Sequence, residues 1–169
     1  VPADRDGKRQ LLRGLMNVRM PGPMSAEVLA VQDAYLRERA EEKGIVGLDE
    51  IPVICDGLSI WQGDITRLAV DAIVNAANSA MLGCFVPGHN CIDNCIQTYA
   101  GIQMRAECDR QMKLLKREYG QSYVQPTAIP LLTDGYNLPA KKVVHIVGPV
   151  VTEPLTQKHR TELAACYTN

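Results

Sequence analysis

Two short apolar runs limit the possible folds more than any other feature of the chain. "AIVN" at 72–75 is apolar on both faces, and "KKVVHIVGPV" at 141–150 is an extended β-favouring run stopped by Gly148-Pro149. A strand with two apolar faces suits a sheet covered by helices on each side. Between the two runs lies "CIQTYAGIQMRAECDRQMKLLKREYG", in which Ile96, Tyr99, Ala100, Met104 and Cys108 recur at three-to-four spacing and Gly120 offers a C-cap. The spacing predicts one helix from Ile96 to Tyr119. A further strand is expected at Leu58 to Gln62. "TQKHRTELAACYTN" reads as the start of a helix with Leu163 and Cys166 or Tyr167 inward. Strands alternating with helices make an α/β layered fold the expectation.

Residues 1–50 differ from the rest. "RQLLRGLMNVRM" and "SAEVLAVQDAYLRERAEEKG" place apolar residues at helical spacing among charges, and Pro21-Gly22-Pro23 separates them. Ser25 lacks the carboxylate of a capping box at Val28, but Glu27 favours a helix N-terminus there. The reading is a helical N-terminal extension at 1–50 whose Leu29, Ala30, Tyr35 and Leu36 pack on a domain at 51–169.

Net charge narrows the ligand classes. At -1 over 169 residues the chain offers no broad attraction for nucleic-acid phosphates or anionic lipid. Nucleic acid and membrane are therefore not expected partners, and a nucleotide-like ligand would need a local site. Six cysteines in a chain without a basic segment leading into an apolar one at its start suggest reduced thiols and a cytoplasmic setting. Cys84, Cys91, Cys95 and Cys108 cluster and favour a metal, whereas Cys55 and Cys166 stand apart as packing residues.

Chemistry concentrates in "NAANSAMLGCFVPGHNCIDNC" at 75–95. Cys84, His89 and Cys91 form C-x4-H-x-C, and Pro87-Gly88 lets the loop turn so that its ends converge. Two thiolates and an imidazole are ligands that zinc favours, and three protein ligands leave the open position of a catalytic site. Cys95 either closes that tetrahedron, making the metal structural, or is a small residue packed at the helix start. Asn78 follows a buried strand, at the carboxyl end where α/β sheets hold ligands. Asn75 either shares that role or satisfies backbone groups. Asp93 caps the coming helix, presents a carboxylate beside the metal, or both.

The succession "QGDIT", "VDAIVNAAN", "AGIQMR" and "GYNLPAKKVVHIVGPV" resembles the macrodomain family in order and spacing across roughly 55 to 169. The insertion "GCFVPGHNCIDN" is similar to that of the zinc-containing macrodomain branch, which also carries a helical N-terminal extension. The resemblance implies a three-layer mixed sheet between helices. It implies that Asp64 contacts adenine with help from the Ile65 amide, although Asp64 also reads as an ordinary turn aspartate. It further implies that Asn78 and Asp93 hold the distal ribose and that Cys84, His89 and Cys91 bind Zn2+. The implied activity is removal of mono-ADP-ribose from modified proteins with release of ADP-ribose. The other reading is a non-catalytic ADP-ribose reader whose zinc only orders the loop.

Two departures from the family pattern stand out. Gln97 occupies the place of an expected histidine and cannot titrate. The family continues past the point where this chain stops, with another strand, a diphosphate-embracing glycine loop and a further helix. The expectation is therefore a fold lacking its C-terminal part: a fragment, a split product needing a second chain, or a shortened protein pairing with another copy.

Overall fold

The computed structural model describes all residues from Val1 to Asn169. Helices α1 (Arg5–Val18) and α2 (Ala26–Lys43) come first. The Asp4 carboxylate accepts from the Gly7 N–H to start α1, and the Ser25 hydroxyl accepts from the Val28 N–H to start α2 with Glu27 in its first turn. Both satisfy amides that a helix leaves unpaired at its N-terminus. At the other end of α1, buried Arg105 donates to the carbonyls of Met16, Asn17 and Arg19. Those carbonyls have no partner within the helix, so a side chain from a distant helix terminates it.

A short parallel pair joins β1 (Val46–Gly47) to β4 (Leu68–Ala69). Between them β2 (Val53–Cys55) and β3 (Leu58–Ser59) form a hairpin across Asp56 and Gly57, both at positive φ. The strand expected at Leu58 to Gln62 is thus cut to two residues and stays outside the main sheet. Its residues are exposed, so burial does not extend it.

The main sheet has the order β5-β7-β6, with β5 (Ala72–Ala76) parallel to β7 (Lys142–Ile146) and β6 (Leu131–Asp134) antiparallel to it. Register pairs Ile73 with Val143 and Asn75 with His145. Side chains alternate across a strand, so these residues share one face with Leu131 and Thr133. Helices α3 (Ile92–Ala100) and α4 (Ile102–Tyr119) cover it, and Ile73, Val143 and Leu131 pack with Ile96, Ala100, Met104, Cys108 and Met112. Burying each large side chain there contributes about 2 kcal/mol. On the opposite face Val74 is 58% and Leu132 53% exposed. Helices thus cover the face that carries Ile73, Val143 and Leu131, while the face of Val74 and Leu132 stays open within these residues. Helix α5 (Gln157–Thr168) reaches the sheet through Cys166, whose thiol donates to the Val147 carbonyl, but buries no residue.

The helix expected as one piece from Ile96 to Tyr119 is two. Gly101 sits at φ +100, where a Cβ would meet the Gln32 and Gln103 side chains at 2.7 Å. The Gln32 amide oxygen accepts from the Ile102 N–H and restarts the helix as α4. Gly120 ends α4 as expected, its N–H bonded to the Lys116 carbonyl. No helix is long and apolar enough to cross a membrane.

Candidate functional site

The candidate site lies where β5 ends, the loop at 77–91 turns, and α3 begins. Cys91 is the N-cap of α3, its sulfur accepting from the Asn94 N–H, and Asp93 follows in the first turn. A carboxylate there sits at the positive end of the helix dipole. Asp93 is 6% exposed. The Asn75 amide donates to its Oδ1 at 2.8 Å and the Asn78 amide approaches its Oδ2 at 3.4 Å. Burial raises the Asp93 carboxyl above the ordinary aspartate value, partly offset by the Asn75 N–H and the Arg105 charge. Asp93 does not cap the helix, a role that falls to Cys91; from the first turn it aims its carboxylate at Asn75 and Asn78 at the strand end.

Asn78 also donates to the Gly83 carbonyl at 3.0 Å while its Oδ1 accepts from the Ala80 N–H. Its side chain thereby folds the loop back toward Asp93. Gly83 is at φ +78, and a Cβ there would stand 2.7 Å from Gln97 Cγ. Gln97 lies buried beneath the loop, both of its amide atoms without a partner.

Cys84 Sγ and His89 Nδ1 stand 3.5 Å apart, and the ligand atoms of Cys84, His89 and Cys91 all lie within 4.8 Å of one another. Tetrahedral zinc with Zn–S of about 2.3 Å and Zn–N of about 2.0 Å gives an S···N edge of about 3.5 Å, so the residues fit that ion. Burial raises the Cys91 thiol, and the Cys84 thiol beside it adds to the shift. A bound dication would reverse that balance. Cys95 lies outside the cluster, its sulfur taking the Arg13 guanidinium at 3.6 Å.

Side chains that look unremarkable in the sequence hold this loop. Arg13 donates to the His89 carbonyl, and Asn17, 1% exposed, accepts from the Gly88 N–H while donating to Thr98 Oγ1. Fully buried Asn94 donates to the carbonyls of Cys84 and Val86, and Arg105 stacks on Phe85 at 4.3 Å. The first helix therefore braces the loop from outside. Nothing in the spacing of Arg13 and Asn17 distinguishes them from a solvated helix face.

Asp64 is elsewhere. Its Oδ1 accepts from the N–H and hydroxyl of Thr66 and its Oδ2 pairs with Lys43 at 2.6 Å. Burial alone would raise this carboxyl, but Lys43 and Thr66 hold it below the ordinary value. Lys43 also rests 3.6 Å over the Tyr99 ring. Tyr99 is six residues along α3 from Asp93, about 9 Å of helix rise, so an extended ligand would be needed to reach both carboxylates. Ile65 opens the short helical turn after Asp64 and packs against the core. The turn-aspartate role expected as the alternative for Asp64 is present, and its outer oxygen is engaged by α2.

Known proteins supply the comparison. The Macro domain family profile matches residues 74–169. A protein-ADP-ribose hydrolase of Treponema medium is 47% identical over 173 residues, covering 100% of this chain and 64% of that protein. A protein-ADP-ribose hydrolase of Staphylococcus aureus is 42% identical over 168 residues, covering 99% of this chain and 61% of its own length. The chain thus spans less than two thirds of these relatives. Among solved structures, an Oceanobacillus iheyensis macrodomain with ADP superimposes with a TM-score of 0.52 at 31% identity, over 63% of this chain and 51% of that one. A Trypanosoma brucei macrodomain in complex with ADP-ribose gives 0.58 at 23% identity, over 99% and 67%. At that identity the second match establishes the fold alone.

Proposed function

The chain belongs to the Macro domain family, and from that membership we propose that it contributes the catalytic part of a zinc-dependent hydrolase that removes mono-ADP-ribose from modified proteins. The observation that carries this reading is the convergence on one loop of a Cys84–His89–Cys91 cluster and a buried Asp93 carboxylate held by two amides. In this reading Asp93 and Asn78 face the distal ribose, while Asp64 and Ile65 receive the adenine at the far end of α3.

Hydrolysis at the anomeric carbon breaks its bond to the protein side chain and forms a bond to water oxygen. One water proton leaves with the released side chain. Positive charge develops on the sugar, and a carboxylate fixed nearby stabilises it. Asp93 suits this because Asn75 fixes Oδ1 and leaves Oδ2, with only the long Asn78 contact, to orient a ribose hydroxyl or water. Asn78 positions the sugar by its amide. Cys84, His89 and Cys91 would hold zinc, which when bound polarises an oxygen ligand and lowers its pKa. The placement of Cys95 outside the cluster supports a position open to substrate over a fully closed structural site.

The setting proposed is cytoplasmic, in keeping with six free cysteines. The edge of β5 away from β7 is unpaired and Val74 is exposed, which supports completion of the sheet by further chain, covalent or separate. The test is release of ADP-ribose from a mono-ADP-ribosylated protein. Wild type supplied with zinc should release it and Asp93→Ala should lose at least ~100-fold. Equal release by both would overturn the assignment.

A further inference from the structure

We infer that His145 is a positioning residue for Asp93, acting through Asn75 from the middle of the sheet. The inference rests on the reading of Asp93 as the ribose-facing carboxylate.

Four buried side chains form an unbroken series. Asn75 Nδ2 lies 2.8 Å from Asp93 Oδ1 and 3.0 Å from His145 Nδ1, and His145 Nε2 lies 2.9 Å from Thr133 Oγ1. Thr133 is 3%, His145 1% and Asn75 0% exposed, so water does not compete for these groups. An amide NH2 has two hydrogens, and here both are directed: one to the carboxylate, one to the ring. That assignment fixes the rest. Nδ1 accepts and is bare, so the ring proton sits on Nε2 and donates to the Thr133 hydroxyl. Turning the Asn75 amide over would set its oxygen 2.8 Å from a carboxylate oxygen, with no hydrogen between them.

Strand pairing places Asn75 opposite His145 in the β5/β7 ladder, so the backbone itself delivers this contact. Burial pushes the imidazole down to about 4, which keeps the ring neutral and Nδ1 available as an acceptor. A hydrocarbon would fill the same place in a sheet core without the cost of burying two ring nitrogens. What His145 adds is direction: it holds the Asn75 amide plane, and that plane holds Oδ1 of Asp93. A carboxylate free to turn would leave the orientation that catalysis needs, and a misplacement of ~1 Å can cost ~100-fold.

Two variants separate positioning from packing. In His145→Asn the amide oxygen takes the place of Nδ1 and still accepts from Asn75; in His145→Leu nothing accepts. Both should lower the melting temperature. Only His145→Leu should lower kcat for ADP-ribose release, by about 10- to 100-fold with little change in KM, and His145→Asn should recover most of it. Unchanged kcat in His145→Leu, or equal losses in both variants, would overturn the inference. Nitrogen NMR of the wild-type chain gives a reading that needs no activity: the Nε2–H tautomer is expected, and the Nδ1–H tautomer would refute the series. No release by the wild type would fail the hydrolase reading, and the tautomer would then decide the bonded series by itself.

Discussion

Acid should unfold this protein partly through His145. The free imidazole titrates near 6.5 and burial lowers the folded value to about 4. Between those values the unfolded chain binds a proton that the folded chain refuses. The stabilisation is therefore complete above the unfolded value and is lost as pH falls through 6.5 toward 4. Each pH unit in that window is worth about 1.4 kcal/mol, which gives a loss of about 2 kcal/mol at pH 5 relative to pH 8 and about 3 kcal/mol at pH 4. Burial raises the Asp93 carboxyl, and that shift works in the opposite direction. The measurement is therefore a difference: urea unfolding of wild type and His145→Asn at pH 8 and pH 5. The stability advantage of wild type should shrink by about 2 kcal/mol between the two, with unchanged m-values. A gap that stays constant would mean that the buried ring carries its proton as readily as a free one, and the neutral Nδ1 acceptor would fail with it.

Gly83→Ala should cost about 1–3 kcal/mol, because φ is +78 and the added methyl meets Gln97 Cγ at 2.7 Å; midpoint denaturation equal to wild type would refute the strain. Asn17→Ala removes the acceptor of the Gly88 N–H and the donor to Thr98, and should cost about 1–3 kcal/mol with faster hydrogen exchange at Gly88. Unchanged exchange there would show that α1 does not brace the loop. Metal analysis should find about one zinc per chain, lost in Cys84→Ala, as a three-residue site predicts. Absence of zinc with stability indifferent to chelation would remove the metal assignment.

The sheet and the loop were legible because their signals are local. "AIVN" and "KKVVHIV" are continuous apolar runs, and Cys84, His89 and Cys91 lie within eight positions, so chain proximity alone nearly assembles them. Asp93 follows from the helix start beside them. The break at Gly101 was hidden because apolar spacing continues from Tyr99 to Met104 while the glycine reverses the backbone. Strand β6 passes unnoticed as four residues between Pro130 and Gly135, given strand character only by pairing with β7. His145 reads as a polar interruption of an apolar strand, and its partners Asn75 and Thr133 are 70 and 12 positions away. Arg105 reads as a charge on a helix, yet it is 5% exposed and ties off α1. These roles arise from tertiary contacts, to which periodicity and spacing carry no clue.

The central claim is that the Cys84–His89–Cys91 cluster and Asp93 work as one site. A double-mutant cycle on ADP-ribose release measures it directly, using wild type, Cys84→Ala, Asp93→Ala and the double variant. Groups acting as a unit are strongly non-additive, so the double variant should release ADP-ribose within a few-fold of the slower single variant. A loss equal to the product of the two single losses would mean that cluster and carboxylate act independently, and the account of a single centre would be wrong.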